Sequence, residues 1–245
     1  MTDNVDTHAR RTALVTGATS GIGRAVAVRL ADDGFHVLVH GRDAERGAAV
    51  VEEIEKNGGS AEFLAADLSD VQAIEQLAAA AGDVDVLVNN AGFSWFGPTA
   101  ELTSETFDAL FAANVRSAYF LVAALAPKMA ERGRGSIVNL GSMAGQIGLP
   151  GGAAYSATKA AVAAFTRAWA AEYSPRGVRV NTIAPGPVYT GGAAEERITA
   201  LGDTTLLARA AQAEEIADVI AFLASPAAGY VTGALIPADG GRTAI

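Results

Sequence analysis

The 245-residue chain is predicted to fold as one α/β domain, a doubly wound parallel sheet of about seven strands with helices on both faces. Three observations predict it. Short, continuously apolar runs alternate with helical patterns from Thr12 onward. Half of the residues are hydrophobic, which fills one large core and falls short of what two domains need. A glycine loop, Thr16-Gly17-Ala18-Thr19-Ser20-Gly21-Ile22-Gly23, closes the first apolar run and opens the first helical pattern.

Taken in order, residues 13–15 (Ala-Leu-Val) read as a buried strand. Residues 21–33 read as a helix, with Ile22, Val26 and Leu30 on one face at fourth-residue spacing. A strand at 37–39 and a helix at 44–56 follow; Asn57-Gly58-Gly59 ends that helix, because glycine accepts the left-handed cap without steric cost. Next come a strand at 61–65, a helix at 71–81 and a strand at 84–88. Beyond a loop at 92–98 lies a long helical stretch, 104–131, expected to bend or break near Pro127. A strand at 136–140, a helix at 153–173 and a strand at 178–183 continue the alternation. Residues 185–205, rich in Gly, Thr and Ala, are expected to be irregular. A helix at 214–224 and a strand near Leu235 close the chain. Crossovers of this kind are right-handed. The polar residues 1–11 are expected to form a flexible tail, with the domain over 12–245 and a substrate lid over about 188–209.

Composition removes several classes of function. Formal charge is −9, from 18 basic and 27 acidic side chains, and no basic stripe is visible, so nucleic acid is not expected as a partner. The absence of cysteine excludes disulfides, thiolate catalysis and cysteine-ligated zinc, and points to a reducing cytoplasm. His8, His36 and His40 show no metal-ligand spacing; they read as one tail histidine and two strand histidines, and no metal is expected. The first residues carry no apolar targeting core, and Arg10-Arg11 runs into a strand and a glycine loop rather than an export signal. The apolar stretch 118–126 ends at Pro127, short of the ~20 residues a spanning helix needs, so no membrane role is expected.

The glycine loop carries the first chemistry. Gly17 permits a sharp turn, Gly21 removes a Cβ from a phosphate's path, and Gly23 lets the helix pack on the sheet; free amides and the dipole of the following helix then face an anion. The spacing departs from G-x-G-x-x-G. At the end of the second strand stands His40-Gly41-Arg42. Gly41 occupies the place of the carboxylate that an NAD site uses for the ribose diol, and Arg42 offers charge-assisted bonds to a 2′-phosphate. The expected cofactor is NADP(H), with NAD(H) as the alternative. Asp43 falls one residue too late and reads as a helix cap.

The second chemistry lies in Tyr155-Ser156-Ala157-Thr158-Lys159. A free tyrosine hydroxyl has a pKa of ~10, too high for efficient proton exchange near neutrality. Four residues apart on a helix, Tyr155 and Lys159 share a face, so the ammonium is expected to lower the phenol pKa. Ser142, thirteen positions upstream at a strand end, is placed to donate a hydrogen bond to a substrate oxygen. Together with a dinucleotide cradle, this pattern implies hydride transfer to or from a carbonyl.

From about Thr12 to Arg242 the chain resembles the short-chain dehydrogenase/reductase family, in its 3-oxoacyl-[acyl-carrier-protein] reductase-like subgroup. The matching motifs are TGATSGIG at Thr16, Asp67 after the third strand, Asn89-Asn90-Ala91-Gly92, Asn114, Ser142, the YSATK run, and Pro185-Gly186 after the sixth strand. The resemblance implies a single-domain Rossmann fold and a catalytic tetrad of Ser142, Tyr155, Lys159 and Asn114. Tyr155 would be the acid in reduction and the base in oxidation. Lys159 would bind the nicotinamide ribose and depress the tyrosine pKa, and Asn114 would hold a water linking Lys159 to solvent. Asp67 would contact the adenine, Asn89 would support the sheet, and Thr190 would hold the carboxamide. The full cofactor set expected is Gly17, Thr19, Ser20, Gly21, Ile22, Gly23, Gly41, Arg42, Asp67, Leu68, Asn90, Ala91, Gly92, Tyr155, Lys159, Pro185, Gly186, Val188 and Thr190.

Candidate substrate-lining residues are Ser94, Trp95, Phe96, Met143, Gln146, Ile147 and Tyr189, with a lid that Gly191-Gly192 would hinge. Their apolar character suits a hydrophobic or mixed small-molecule carbonyl or alcohol. Arg132 and Arg134 are candidates for meeting an acidic acyl carrier, but Ala171 stands before Glu172 where such reductases often have arginine. Phe120, Leu121, Ala164, Phe165 and Trp169 on the two long helices cannot all face one sheet, so a homotetramer or homodimer through those helices is expected. The competing readings are a nucleotide-binding redox sensor without turnover and a specific 3-oxoacyl thioester reductase.

Overall fold

The structure, a computed structural model, describes residues 10–245. His8 and the expected tail, up to residue 9, lie outside the described residues. Seven parallel strands form the sheet: β1 (Thr12–Val15), β2 (His36–Gly41), β3 (Ser60–Ala65), β4 (Val86–Asn89), β5 (Gly135–Leu140), β6 (Val178–Pro185) and, last in the chain, Leu235–Ala238. A separate two-stranded ribbon pairs β7 (Val188–Tyr189) with β8 (Ala211–Gln212), which makes Leu235–Ala238 β9. The main sheet runs β3-β2-β1-β4-β5-β6-β9. The order reverses between β1 and β4, which opens a crevice beyond their carboxyl ends.

Side chains of a strand alternate between faces, and here both faces are covered. Ala13, Val15, Val37 and Val39 pack under α1 (Gly21–Asp32) and, at the far end of the chain, Ile216 and Ile220 of a helix spanning Ala213–Ala224. Leu14, Leu38 and Leu87 pack on the other face against Leu121, Leu125 and Trp169. That two-sided burial is why the strands read as unbroken apolar runs. The remaining helices are α2 (Ala44–Lys56), α3 (Val71–Ala81), α4 (Ser104–Phe111), α5 (Ser117–Glu131), α6 (Ala153–Tyr173) and α7 (Glu195–Gly202), so the helix over Ala213–Ala224 is α8.

Three expectations change. Pro127 lies inside α5 without ending it. Proline forfeits one intrahelical bond, but Leu121, Leu125 and Met129 stay fully buried and hold the helix to the sheet. The irregularity falls earlier, at Ala112–Arg116, a π-helical segment between α4 and α5 that carries Asn114. The continuous helix 104–131 is 28 residues, long and apolar enough by length and composition to cross a membrane, whereas the 118–126 stretch alone is not; α5 packs in the core cluster of the second sheet face. Finally, residues 185–205 are not irregular throughout. They contain β7 and α7, whose short, largely exposed sequence Glu-Glu-Arg-Ile-Thr-Ala-Leu-Gly offers too little apolar periodicity to read as a helix.

Candidate active site

A cavity of about 610 Å³ opens at the carboxyl ends of the central strands. The glycine loop forms its floor. Gly17 takes a left-handed conformation, φ +64°, and a Cβ on Gly23 would collide with the Gly17 carbonyl and the Asn90 amide. Side chains from neighbouring strands fix the loop. The Asn90 amide donates to the carbonyls of Thr16 (2.8 Å) and Gly17 (3.1 Å), while Thr16 Oγ1 accepts from the backbone of Asn90 and Ala91, both at 3.0 Å. Ser20 N-caps α1, yet its hydroxyl makes no capping bond, and it lines the cavity with Gly21 and Ile22. Unpaired helix-start amides and a spare hydroxyl are what a pyrophosphate needs.

His40 is the residue that sequence reasoning missed. It is 3% exposed. Its Nδ1 accepts the Gly17 N–H (3.2 Å), its Nε2–H donates to Ala66 O (3.2 Å), and its own carbonyl accepts from Ala18 N (2.8 Å). Burial pushes the imidazole down to about 4; Arg42 nearby acts in the same direction, and the Ala66 bond and Asp67 oppose it. His40 is therefore a neutral strut between the glycine loop and the end of β3. Its signal was its place, at the end of β2 and directly before Gly41-Arg42.

Arg42 lines the mouth of the cavity, joined by Arg46 one turn along, a second cation that went unnoticed. Asp43 caps α2 as expected, accepting from Arg46 N and Arg46 Nε, each at 3.1 Å. Asp67 and Leu68 line the same end, and the Ser69 amide holds the Asp67 carboxyl below its usual range. Of the expected cofactor set, the cavity lining includes Gly17 through Gly23 except Ala18, then Gly41, Arg42, Asp67, Leu68, Asn90, Ala91, Gly92 and Thr190. Pro185, Gly186 and Val188 lie outside it. Pro185 and Gly186 are engaged with β9, and Val188 is a buried partner of Ala211.

Tyr155 and Lys159 sit beyond the inner end, on one face of α6, with Lys159 Nζ 5.7 Å from the Tyr155 ring centroid. The ammonium donates to Leu140 O at 2.8 Å, and Leu140 lines the cavity. Lys159 is 6% exposed, and burial lowers its pKa to about 8. Burial also pushes the Tyr155 phenol upward, with the Ser142 hydroxyl opposing it. This differs from the expected ammonium-driven lowering. Lys159 is turned to a β5 carbonyl rather than to the phenol, so burial outweighs it. Ser142 follows β5, where its Oγ accepts from Ala144 N at 3.1 Å.

Asn114 does not present a free amide. Both its N–H protons are spent, on Phe93 O (2.9 Å) and Thr158 Oγ1 (3.1 Å), and its Oδ1 accepts from Phe93 N (3.0 Å). Thr158, also missed, donates to the Tyr155 carbonyl at 2.7 Å. Asn114 thus ties the π-helical segment to the turn of α6 that carries Tyr155. Asn89 supports the sheet as expected, donating to Asn139 at 2.9 Å, and Asn139 in turn donates to Thr166 of α6 at 2.8 Å.

On the substrate side, the Phe96 ring lies 5.6 Å from the Tyr155 ring. Tyr189 meets Thr199 of α7 through their hydroxyls, 2.8 Å apart. Met143 is buried, Ser94 and Gln146 are exposed, and Trp95 packs over Gly97. Arg132 and Arg134 precede β5, at the opposite end of that strand from Leu140, and pair with Asp83 (2.8 Å) and Asp85 (3.1 Å). They do not face the substrate side.

The cavity fits a nicotinamide dinucleotide in its volume, in the tight bend that only a bare Gly23 permits, and in its donors: loop amides, the Ser20 hydroxyl and two guanidinium groups. Comparison with known proteins agrees. The short chain dehydrogenase family matches residues 11–200. A cyclopentanol dehydrogenase of a Comamonas species is 37% identical over 94% of this chain and 96% of its own. A 3-oxoacyl-[acyl-carrier-protein] reductase of Staphylococcus aureus is 36% identical over 94% of this chain and 97% of its own. A blue fluorescent protein from a metagenomic library, solved with NADPH, superposes with a TM-score of 0.89 at 36% identity, covering 95% of this chain and 97% of that one. The chain belongs to the short-chain dehydrogenase/reductase family.

Proposed function

We propose that this protein moves a hydride between NADP(H) and a small carbonyl or secondary alcohol, with Tyr155 as the acid in reduction and the base in oxidation. Family membership makes it an oxidoreductase dependent on a nicotinamide dinucleotide and acting on CH–OH/C=O groups. The observation that carries the reading is the junction at Leu140, which lines the dinucleotide cavity and also receives Lys159 beside Tyr155. When bound, the nicotinamide supplies or accepts the hydride. The protein's own part is proton movement and positioning. Ser142 donates to the substrate oxygen, and Tyr155 gives its Oη proton to the developing alkoxide. Lys159 stabilises the resulting phenolate. With a pKa near 8, Lys159 can pass a proton back near neutral pH. Asn114 holds Thr158 and, through it, the Tyr155 turn. The pair Arg42 and Arg46 supports NADP(H) over NAD(H), since a guanidinium fork suits a 2′-phosphate and no carboxylate stands at Gly41.

The relatives named above bracket the substrate between cyclic alcohols and carrier-bound oxoacyl groups. A free carbonyl compound fits better than a carrier-bound one, because Arg132 and Arg134 are engaged by acids away from the site. Tyr119 (45% exposed) and Phe120 (36% exposed), beside Phe165, support a homotetramer or homodimer through α5 and α6. A cytoplasmic setting fits the absence of cysteine.

The test is a panel of ketones and alcohols followed at the reduced-nicotinamide absorbance with both cofactors. NADPH should show the lower KM, and Arg42→Ala should raise that KM about tenfold or more with little change for NADH. Tyr155→Phe should lower kcat by roughly 10²–10⁴ while cofactor fluorescence titration stays normal. A Tyr155→Phe protein that turns over at the wild-type rate would sink the mechanism, whereas a wild-type protein that binds the cofactor and turns over no compound of the panel would favour the redox-sensor reading.

A further inference from the structure

From the exposed guanidinium on α7 we infer that Arg197 selects a substrate carrying a carboxylate a short carbon chain away from its reacting carbonyl; the inference rests on the function proposed above. Two contacts connect Arg197 to the reacting group. Its Cζ lies 5.3 Å from the Phe96 ring centroid, and that ring lies 5.6 Å from the Tyr155 ring. The lid thus brings a permanent positive charge to the substrate side of Tyr155.

Among the described residues Arg197 has no ion-pair partner, unlike Arg209 further along the same segment, which Glu215 holds at 2.6 Å. Glu195 and Glu196 precede it by two and one positions, spacings that point to other sides of a helix. A ring offers no hydrogen-bond acceptor in its plane, so a guanidinium whose neighbour is a ring keeps its N–H groups available for a bidentate carboxylate. Contact with Phe96 also restrains the long side chain, which removes part of the entropy cost of ordering it on ligand binding. Tyr189 and Thr199, bonded at 2.8 Å, tie α7 to β7 and so fix the position of the helix that carries this charge. A neutral ketone would meet Phe96 and Met143 but leave Arg197 unused. An oxo acid would use both.

The test compares 4-oxopentanoate and 5-oxohexanoate with their methyl esters, which keep the carbon skeleton and remove the charge. Wild type should prefer the acid over its ester by about tenfold or more in kcat/KM for at least one chain length. Arg197→Gln should bring the acid-to-ester ratio to near one, mainly by raising KM for the acid, and Arg197→Lys should restore part of it. Equal rates for acid and ester in wild type would overturn the inference and leave the oxidoreductase reading standing. So would an Arg197→Gln enzyme that loses both substrates equally, because Arg197 would then act only as a lid clasp. A protein that reduces none of these compounds, and no ketone of the wider panel, with either cofactor would overturn the proposed function and this inference with it.

Discussion

Around the glycine loop, Asn90, Ala91 and His40 bind the backbone of β1 to β2 and β4 with hydrogen bonds of 2.8–3.2 Å. Around α7, a surface hydroxyl pair and one guanidinium on a ring do the corresponding work. The first region holds a ligand end common to every reaction of this type and is built from backbone geometry. The second, which in the proposed function meets the part of the substrate that differs, is built from exposed side chains on a short helix. Rigidity is placed where the ligand is invariant, and loose attachment where it varies.

Damage should scale with that contrast. The largest effect is expected from Gly23→Ala, because the new methyl meets backbone that cannot give way. A cost of about 3 kcal/mol would lower Tm by roughly 6–12 °C, and cofactor affinity should fall at least 100-fold. Calorimetry and fluorescence titration read both. A near-normal Gly23→Ala protein would show that the loop is softer than its bonds suggest.

His40 tests the same region by pH. Its pKa is about 4 in the folded protein against an ordinary 6.5, so the unfolded chain takes up the proton first. Nothing is lost above pH 6.5. As pH falls from 6.5 through 4 the folded state loses stability, on the order of 3 kcal/mol in total. Tm measured from pH 7 to 4 should therefore fall less steeply in His40→Asn, which keeps an acceptor but cannot titrate. Parallel curves would remove His40 from the account. The smallest effect belongs to α7. Thr199→Val deletes an exposed hydroxyl bond of about 0.5–1 kcal/mol, so KM for the carbonyl should rise two- to fivefold with KM for the cofactor unchanged.

The same contrast governs what was legible in the sequence. The parallel sheet of about seven strands, the helices at 44–56, 71–81 and 153–173, and the glycine loop all follow from burial on two faces and from backbone strain, which leave period and glycine as marks. Ser142, Tyr155 and Lys159 were legible as a spaced set. His40 and Thr158 were not, because His40 bonds to the backbone of two other strands' ends and Thr158 accepts from the Asn114 side chain of a distant segment, and no local pattern records either contact. The π-helical turn around Asn114 escaped notice for the same reason, with Pro127 nearby as the more conspicuous signal. The direction of the tyrosine shift was misjudged because spacing places Lys159 on the right face but says nothing of Leu140 O, to which it turns.

Beneath α6, Asn89, Asn139, Thr166 and Thr182 form an unbroken polar run through otherwise apolar packing. Sliding that helix by one turn would break the Asn139–Thr166 and Thr166–Thr182 bonds and leave those buried groups without partners, at about 1–3 kcal/mol apiece. The tyrosine is therefore set at its height above the sheet when the chain folds, before any ligand arrives. Compounds that compete for this site must adapt to a fixed hydroxyl, and whatever adjustment recognition demands has to come from the far wall.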